Sequence, residues 1–280
     1  MVTGETAVSV IVPASNEAAL IGGCLSALLA SDPVPAAVEV IVVANGCSDD
    51  TAARARGFAE RFAAKGWHLV VLDLTEGGKL EALNAGDAAA SGGIRVYLDA
   101  DVTVSAALLG QIAAALEGPE PRYASGRVTI TAKSAVSRAY ARVWAKVPFM
   151  ADCVPGCGLF AVNAAGRARW GAFPDIISDD TFVRLSFAPG ERVGVPAAYE
   201  WPIAEGFQRL VRVRRRQDVG VDEIARLYPD LLDNDDKPAF GTGRKLGLAL
   251  RDPLGFAVYS GVAVMVKLTK GQGSEWSRGR

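Results

Sequence analysis

The feature that most constrains the fold is the regular alternation of short apolar runs with helical patterns before residue 105. Residues between the runs repeat apolar side chains at helical spacing, as in Leu20, Ile21, Cys24, Leu25 and Leu28. β-branched runs of this length are typical of buried parallel strands, and the intervening helices imply right-handed β-α-β units. The runs are Val8–Val12, Val38–Val43, Trp67–Leu72 and Ile94–Leu98. The sequence therefore predicts an α/β fold with a mostly parallel central sheet.

Each predicted strand is followed by a segment that suits ligand binding. Open parallel sheets bind their ligands outside the carboxyl ends of the strands. The four segments provide backbone donors, a cation and carboxylates: Pro13–Glu17, Ala44–Asp50, Gly77–Lys79 and Asp99–Asp101. We expect them to meet at one edge of the sheet.

Asp99 and Asp101 lie in the stretch Val96–Val104, which reads V-Y-L-D-A-D-V-T-V. Alternate residues of an extended chain point the same way, so the two acids can converge. Such a pair can hold a divalent cation against phosphate oxygens, as Mg²⁺ prefers. The alternative is a solvated turn after a buried strand. The other three segments favour the metal-and-phosphate interpretation.

Composition excludes several classes of function. The formal net charge is -1, so bulk electrostatics give no case for nucleic acid as a partner. Four cysteines in 280 residues do not form a disulfide framework. Met1–Glu5 has no basic segment followed by an apolar one, so no secretory signal is predicted and we expect a cytoplasmic protein.

Five motifs in order resemble family 2 glycosyltransferases of the GT-A fold, a Rossmann-like nucleotide-diphospho-sugar transferase fold. They read V-S-V-I-V-P-A-S-N-E, V-I-V-V-A-N-G-C-S-D-D-T, G-K-L-E-A-L-N-A-G, Y-L-D-A-D-V and I-S-D-D-T-F-V. The resemblance covers about Val8 to Arg216. It implies metal-dependent transfer with inversion, using Mn²⁺ or Mg²⁺, from a nucleotide-diphosphate sugar to an acceptor hydroxyl. A UDP-sugar is the expected donor, and the expected settings are cell-surface polysaccharide, glycolipid or secondary-metabolite glycosylation.

The resemblance also implies donor-binding roles for particular residues. Asp101 is expected to ligate the metal, and Asp99 to contact both ribose and metal. Ala44 stands where such enzymes usually have an acid that contacts the base, and Asn45 follows it. The complete donor-side set is Pro13, Ala14, Glu17, Asn45, Lys79, Asp99 and Asp101.

On the acceptor side the resemblance implies that Asp180 is the general base. A base must lie within hydrogen-bond reach of the proton that it removes, and the adjacent Asp179 can raise its pKa. The alternative is an acidic first turn that favours a helix dipole. Gly156, Cys157 and Gly158 match a glycine-rich segment that borders the acceptor cleft, although a packing turn explains them nearly as well.

The C-terminal part carries less specific signals. Arg212 belongs to a basic run that could clamp a diphosphate, lie on a solvated helix face or face anionic lipid. Leu254–Val266 is shorter than the roughly 20 residues of a spanning helix, so a packed helix or an interfacial helix is predicted. The interfacial alternative would make the protein peripheral at the cytoplasmic face of the membrane.

The predicted domains are residues 1–217, with a nucleotide-sugar half (1–104) and an acceptor half (105–217), and a helical extension over 218–280. Two other functions remain open, a nucleotidyltransferase of related fold and a non-catalytic nucleotide-sugar-binding protein. The first expects a glycine-rich basic loop after the first strand, where P-A-S-N-E stands instead. A dinucleotide-dependent oxidoreductase is disfavoured because no G-x-G-x-x-G follows that strand.

Overall fold

A computed structural model describes residues 7–269. Within that range the strands form one eight-stranded sheet with the order β3-β2-β1-β4-β7-β6-β8-β5. The strands are β1 (Val8–Ala14), β2 (Val38–Asn45), β3 (His68–Leu74), β4 (Ile94–Leu98), β5 (Thr103–Val104), β6 (Tyr123–Thr131), β7 (Leu159–Asn163) and β8 (Arg192–Pro202). All four strands predicted from the apolar runs are present.

The helices between and after the strands vary in length from one turn to six. They are α1 (Ile21–Leu29), α2 (Thr51–Arg56), α3 (Ala59–Ala64), α4 (Lys79–Ala89), α5 (Leu108–Ala115), α6 (Ala135–Trp144), α7 (Pro148–Asp152), α8 (Ala164–Arg167), α9 (Asp179–Leu185), α10 (Phe207–Leu227), α11 (Thr242–Arg251) and α12 (Pro253–Leu268). Short 3₁₀ segments occupy Pro189–Glu191 and Pro229–Asn234.

The first four strands make the parallel part of the sheet. β1 pairs in parallel with β2 and β4, and β2 pairs in parallel with β3. Val10 lies opposite Val40 on one side and Val96 on the other, and all three are fully buried. Beyond β4 the pairing is antiparallel, first with β7 and then between β7 and β6. The predicted α/β architecture is confirmed.

The chain forms two compact units, and each unit combines segments that are not consecutive in sequence. The first unit contains residues 7–128, Gly156–Asp175 and Ser186–Glu200. The second contains Thr129–Pro155, Ile176–Leu185 and residues 201–269. The boundary predicted at residue 217 coincides with neither unit, because it falls inside α10. That helix continues beyond residue 217, with Gly220 and Ile224 buried in the second unit.

In the first unit α4 packs closely on the parallel strands. Gly86 lies so near β1 that a Cβ there would overlap the Ile11 side chain. Ala82 is fully buried with Ile41 and Val43 of β2. This contact fixes the start of α4, where Lys79 lies.

The second unit has its own apolar core, built from helices. Val262 and Val266 of α12 are buried against Tyr140 and Trp144 of α6 and Leu210 of α10. The prediction of a helix over Leu254–Val266 is confirmed, because α12 runs from Pro253 to Leu268. Within residues 7–269 no helix has both the length and the apolar character needed to cross a membrane.

Candidate functional site

The Asp99–Asp101 segment forms a tight turn at the end of β4. The Val102 amide donates to the Asp99 carbonyl at 3.1 Å, which closes the turn. The expectation of an extended chain is therefore wrong in detail. The turn still buries Ala100 and Val102 and leaves Asp99 and Asp101 partly exposed.

Both carboxylates act on one buried thiol beneath them. The pKa of Cys24 is raised strongly, first by burial and then by the negative charges of Asp101 and Asp99. The Cys24 sulfur lies 3.9 Å from the Asp99 carbonyl oxygen. The influence of both acids on a single sulfur indicates that their charges concentrate in one small region.

A cation already lies against this turn. The Lys79 ammonium is 3.3 Å from Asp99 Oδ1, and both side chains are roughly one-third to two-fifths exposed. Lys79 is the first residue of α4, so the close packing of that helix on β1 brings the ammonium here. At this exposure the pair adds little to stability, but it shows that the turn attracts positive charge.

The donor set of the turn fits a hard divalent cation. Mg²⁺ typically takes one or two carboxylates from a protein and completes its shell with water and substrate phosphates. Asp99 and Asp101 can provide two carboxylates from one turn, partly open to solvent. Among residues 7–269, neither this turn nor any other place brings together three or more His, Cys, Asp or Glu side chains that could hold a metal.

Asn45 has a different role from the expected one. Its side chain is 3% exposed, and its amide nitrogen donates to the carbonyls of Ala14 and Val43 at 3.0 and 3.2 Å. Its Oδ1 accepts from the Gly78 amide at 3.1 Å. Asn45 therefore ties the ends of β1 and β2 to the start of α4, and its side chain is used within the fold. The expectation that it contacts the donor directly is not supported by this geometry.

The neighbouring residue Ala44 is fully buried, and the Ala14 side chain is 1% exposed. Neither side chain can reach a ligand, whereas Pro13 and Glu17 are partly exposed. Ala14 could therefore line the predicted nucleoside pocket only through its backbone. The Ala14 carbonyl already accepts from Asn45.

Sequence reasoning missed the residues that join the first two loops. Asn16 adopts a positive φ of 55°, and its Oδ1 accepts from the Ser48 amide at 2.7 Å. Asp49 accepts from the Ala18 amide at 3.1 Å and from the Thr51 amide at 3.0 Å. The signal was available, because Asn tolerates the left-handed region and Asp often binds the amide two residues on.

The second loop also approaches the third very closely. Gly46 has a φ of 52°, and a Cβ there would lie 2.6 Å from the Gly77 Cα. The Gly46 amide donates to the Leu74 carbonyl at 2.9 Å. A side chain at residue 46 would therefore be strained and would separate the second loop from the third.

The glycine-rich segment at residues 156–158 is held against the acidic turn. The Asp99 amide donates to the Gly158 carbonyl at 2.9 Å, and the Tyr199 hydroxyl donates to the Cys157 carbonyl at 2.7 Å. Gly156 has a φ of 70°, and a Cβ there would overlap the Tyr123 hydroxyl. Tyr199 was not predicted from the sequence, because nothing in the pattern links it to a residue 42 positions away.

The second acidic pair opens α9 in the second unit. Asp179 is 5% exposed, while Asp180 is partly exposed. Asp180 Oδ1 accepts from the Thr181 amide at 2.7 Å, which satisfies one donor of the first helical turn. The partly exposed member is the one predicted to act as a base.

The basic run lies on α10, also in the second unit. Arg212 is exposed, as is Gln208 one turn before it. Arg214 is instead used within the unit, where its guanidinium pairs with Asp218 at 3.0 Å. Exposure leaves Arg212 available to an anion, whereas Arg214 is only partly exposed and is engaged by Asp218.

The sequence matches the description "Glycosyl transferase family 2" over residues 9–153, slightly more than half of the chain. The chain belongs to glycosyl transferase family 2. The matched region contains β1 to β4 and the Asp99–Asp101 turn. No curated protein sequence matches the chain.

Solved structures of glycosyltransferases share the fold. The mannosyltransferase PcManGT from Pyrobaculum calidifontis, in complex with GDP-Man and Mn²⁺, is 23% identical with a TM-score of 0.61, over 98% of this chain and 77% of that one. S. aureus TarS in complex with UDP is 15% identical with a TM-score of 0.54, over 98% and 95%.

A third structure is the glucosyl-3-phosphoglycerate synthase from Mycobacterium tuberculosis in complex with Mn²⁺, UDP-Glc and glycerol 3-phosphate. It is 22% identical with a TM-score of 0.52, over 85% of this chain and 83% of that one. At these identities the likeness concerns the fold. A glycosyltransferase of family 2 with the GT-A fold is the conclusion that family and fold support together.

Proposed function

We propose that this glycosyltransferase transfers a sugar, with inversion, from a nucleotide-diphosphate sugar to an acceptor hydroxyl, assisted by Mn²⁺ or Mg²⁺. The observation that carries the proposal is the Asp99–Asp101 turn. It places two partly exposed carboxylates at the carboxyl end of a parallel strand, and one of them, Asp99, is paired with the Lys79 ammonium. This is the position at which open α/β sheets bind ligands.

Asp101 and Asp99 are the residues that would hold the divalent cation. When bound, such an ion supplies Lewis-acid stabilisation of the negative charge that develops on the leaving diphosphate. Lys79 adds a positive charge from α4, and it can exchange its contact with Asp99 for one with a phosphate oxygen. Pro13 and Glu17 remain candidates for the wall of the nucleoside pocket.

Asp180 is proposed as the base that accepts the proton of the acceptor hydroxyl. Its carboxylate is partly exposed at the first turn of α9, whereas Asp179 is buried. A partly exposed carboxylate can both ionise and reach an incoming hydroxyl. The support is this difference in exposure together with the family motif.

A UDP-sugar is our first proposed donor, and a sugar carried by another nucleoside diphosphate is the alternative. Ala44 is fully buried at the position where an acid would contact the base. Base selection must therefore come from other groups. PcManGT was solved with GDP-Man and TarS with UDP, so both bases occur on this fold.

A screen of UDP-, GDP- and dTDP-sugars for slow hydrolysis in the presence of Mn²⁺ tests the proposal. Water replaces the unknown acceptor in this assay, and release of the nucleoside diphosphate is measured. We expect one base and one sugar to be preferred, and chelation of the metal to abolish the release.

Binding of the free nucleoside diphosphates by calorimetry is the companion measurement. If none of them bound in the presence of Mn²⁺, the proposed donor site would be wrong. Binding without any hydrolysis would instead favour the non-catalytic alternative.

A further inference from the structure

The C-terminal helices carry an exposed apolar surface that the glycosyltransferase site does not use. On α12, Leu254 and Leu268 are 67% and 72% exposed, and Val264 is 53% exposed. With Ala257 they recur at helical spacing and share one face of the helix. The core of the second unit occupies a different face, through Val262 and Val266. Thus α12 is apolar on two faces, and only one of them is covered within the described residues.

The preceding helix extends this surface. Leu246 and Leu250 of α11 are 60% and 75% exposed and lie one turn apart. Phe207 of α10 is exposed beside Gly261 of α12, where a Cβ would meet its ring at 3.5 Å. Single exposed leucines are ordinary, but several of them on two successive helices are typical of an interaction surface. We call Leu246, Leu250, Leu254, Val264 and Leu268 the apolar stripe.

The charges around the apolar stripe are almost all positive. Residues 242–269 contain Arg244, Lys245, Arg251 and Lys267 but one acid, Asp252. Arg244 is paired with Asp152 of α7, so Lys245, Arg251 and Lys267 make the basic border. Asp252 is already neutralised, because Arg142 Nε lies 2.7 Å from its Oδ2. The Arg142 contact and a hydrogen bond from the Gly255 amide together lower the pKa of Asp252 to about 2. Arg251 and Lys267 are exposed near the two ends of α12.

We propose that the apolar stripe and its basic border bind the surface of an anionic lipid bilayer. An amphipathic helix with apolar residues on one side and Lys or Arg beside them lies in the membrane interface. Each basic residue near an anionic surface strengthens binding about fivefold. The 16-residue α12 lies along the surface in this arrangement and does not cross it.

A second copy of the chain is the competing occupant, and the charges disfavour it. A two-fold interface brings the same patch of both copies together. Arg251 and Lys267 of one copy would then face the same positive border of the other. Like charges that face each other across an interface oppose association, whereas phosphate headgroups neutralise them.

Co-sedimentation of the full chain with vesicles tests the proposal. We expect binding to vesicles that contain phosphatidylglycerol, much weaker binding to pure phosphatidylcholine, and loss of binding at high salt. Leu250→Gln with Leu254→Gln should weaken binding at least tenfold. The matched control is Leu227→Gln with Leu232→Gln, exposed leucines of the same unit outside the stripe (43% and 39% exposed), which should not change it.

The charge contribution has its own pair of variants. Arg251→Glu changes two charge units and should lower vesicle binding about twenty-five-fold, whereas Arg226→Glu, at an exposed arginine on α10, should leave it unchanged. Light scattering without vesicles reports the alternative occupant. The proposal would be overturned by a stable dimer that becomes a monomer when Leu250→Gln and Leu254→Gln are combined. It would also be overturned by equal binding to neutral and anionic vesicles, or by no binding to either. The nucleotide hydrolysis assay is independent of these variants.

Discussion

Two of the acidic pairs in this enzyme have proposed chemical roles, and their surroundings differ in a way that separates those roles. Asp99 and Asp101 flank a buried alanine in a turn, so both acids stay partly exposed beside a lysine. Asp179 and Asp180 are adjacent in a helix, where one side chain is buried and the other is partly exposed. Spacing and exposure together therefore allow two carboxylates to act jointly in the first pair and one to act in the second.

This difference matches the chemistry that each pair is proposed to perform. A cation needs two oxygen ligands in reach at once, together with room for phosphate and water. A general base is a single carboxylate that must meet a proton. The first pair satisfies the first requirement and the second pair satisfies the second.

The largest effect is expected for Asp180→Asn. Asparagine keeps an Oδ1 that can accept from the Thr181 amide, so the first turn of α9 should persist. Loss of the proton acceptor should lower the rate of donor hydrolysis about a thousandfold. Binding of the nucleoside diphosphate, measured by calorimetry, should stay within about twofold of the parent, since a base adds no affinity for the diphosphate.

Asp179→Asn is the matched neighbour of that variant. Asp179 is 5% exposed, so its replacement should mainly lower the free energy of unfolding, as measured with urea. If Asp180→Asn kept more than a tenth of the parent rate, the assignment of the base would be wrong. Hydrolysis that depended more on Asp179 than on Asp180 in folded protein would reverse the comparison.

The next largest effect is expected for Asp101→Ala. Removal of one of two carboxylates should weaken nucleoside diphosphate binding in the presence of Mn²⁺ about a hundredfold. Asp99→Ala should cost less, about tenfold, because it also releases the Lys79 ammonium, which can then pair with phosphate.

Chelation provides the control for both variants. With the metal removed, the parent and Asp101→Ala should bind the nucleoside diphosphate about equally. If Asp101→Ala left the Mn²⁺ dependence unchanged, the turn would not be the metal site.

The strand ends could be predicted because their signals are local. Each of β1, β2 and β4 is a short apolar run followed at once by polar residues, and parallel pairing then forces the ends together. The acidic turn after β4 follows from the same logic. The exact shape of the turn could not be predicted in this way. The Asp99 carbonyl accepts from the Val102 amide and closes a turn where an extended chain was expected.

The supporting contacts could not be predicted because they join distant residues. Asn45 resembled a ligand residue in its motif, but its amide is used by Ala14, Val43 and Gly78. β8 is interrupted by Gly194 and Pro196, which weaken its strand pattern, and its buried residues alternate irregularly along its length. The division into units depends on packing between segments far apart in sequence, which a linear boundary at residue 217 cannot represent.

The smallest effect is expected for Tyr199→Phe, which probes how the Asp99–Asp101 turn is held in place. The Tyr199 hydroxyl, on a side chain that is 1% exposed, donates to the Cys157 carbonyl, and the next residue, Gly158, accepts from the Asp99 amide. Loss of this buried hydrogen bond should cost about 1–2 kcal/mol of stability. The lost bond lies one peptide from the Gly158 carbonyl that holds the acidic turn. Mn²⁺-dependent nucleotide binding should therefore also weaken, by about threefold.

Tyr140→Phe is the matched control, since Tyr140 is 3% exposed in the second unit and its hydroxyl bonds to Arg214. It should lower the stability to urea by a similar amount and leave Mn²⁺-dependent nucleotide binding unchanged. A general loosening of the fold would move both variants alike, whereas a positioning role for Tyr199 moves one of them. If the two variants changed nucleotide binding equally, the turn would owe its shape to its own backbone bonds, and the contrast between the two acidic pairs would rest on spacing alone.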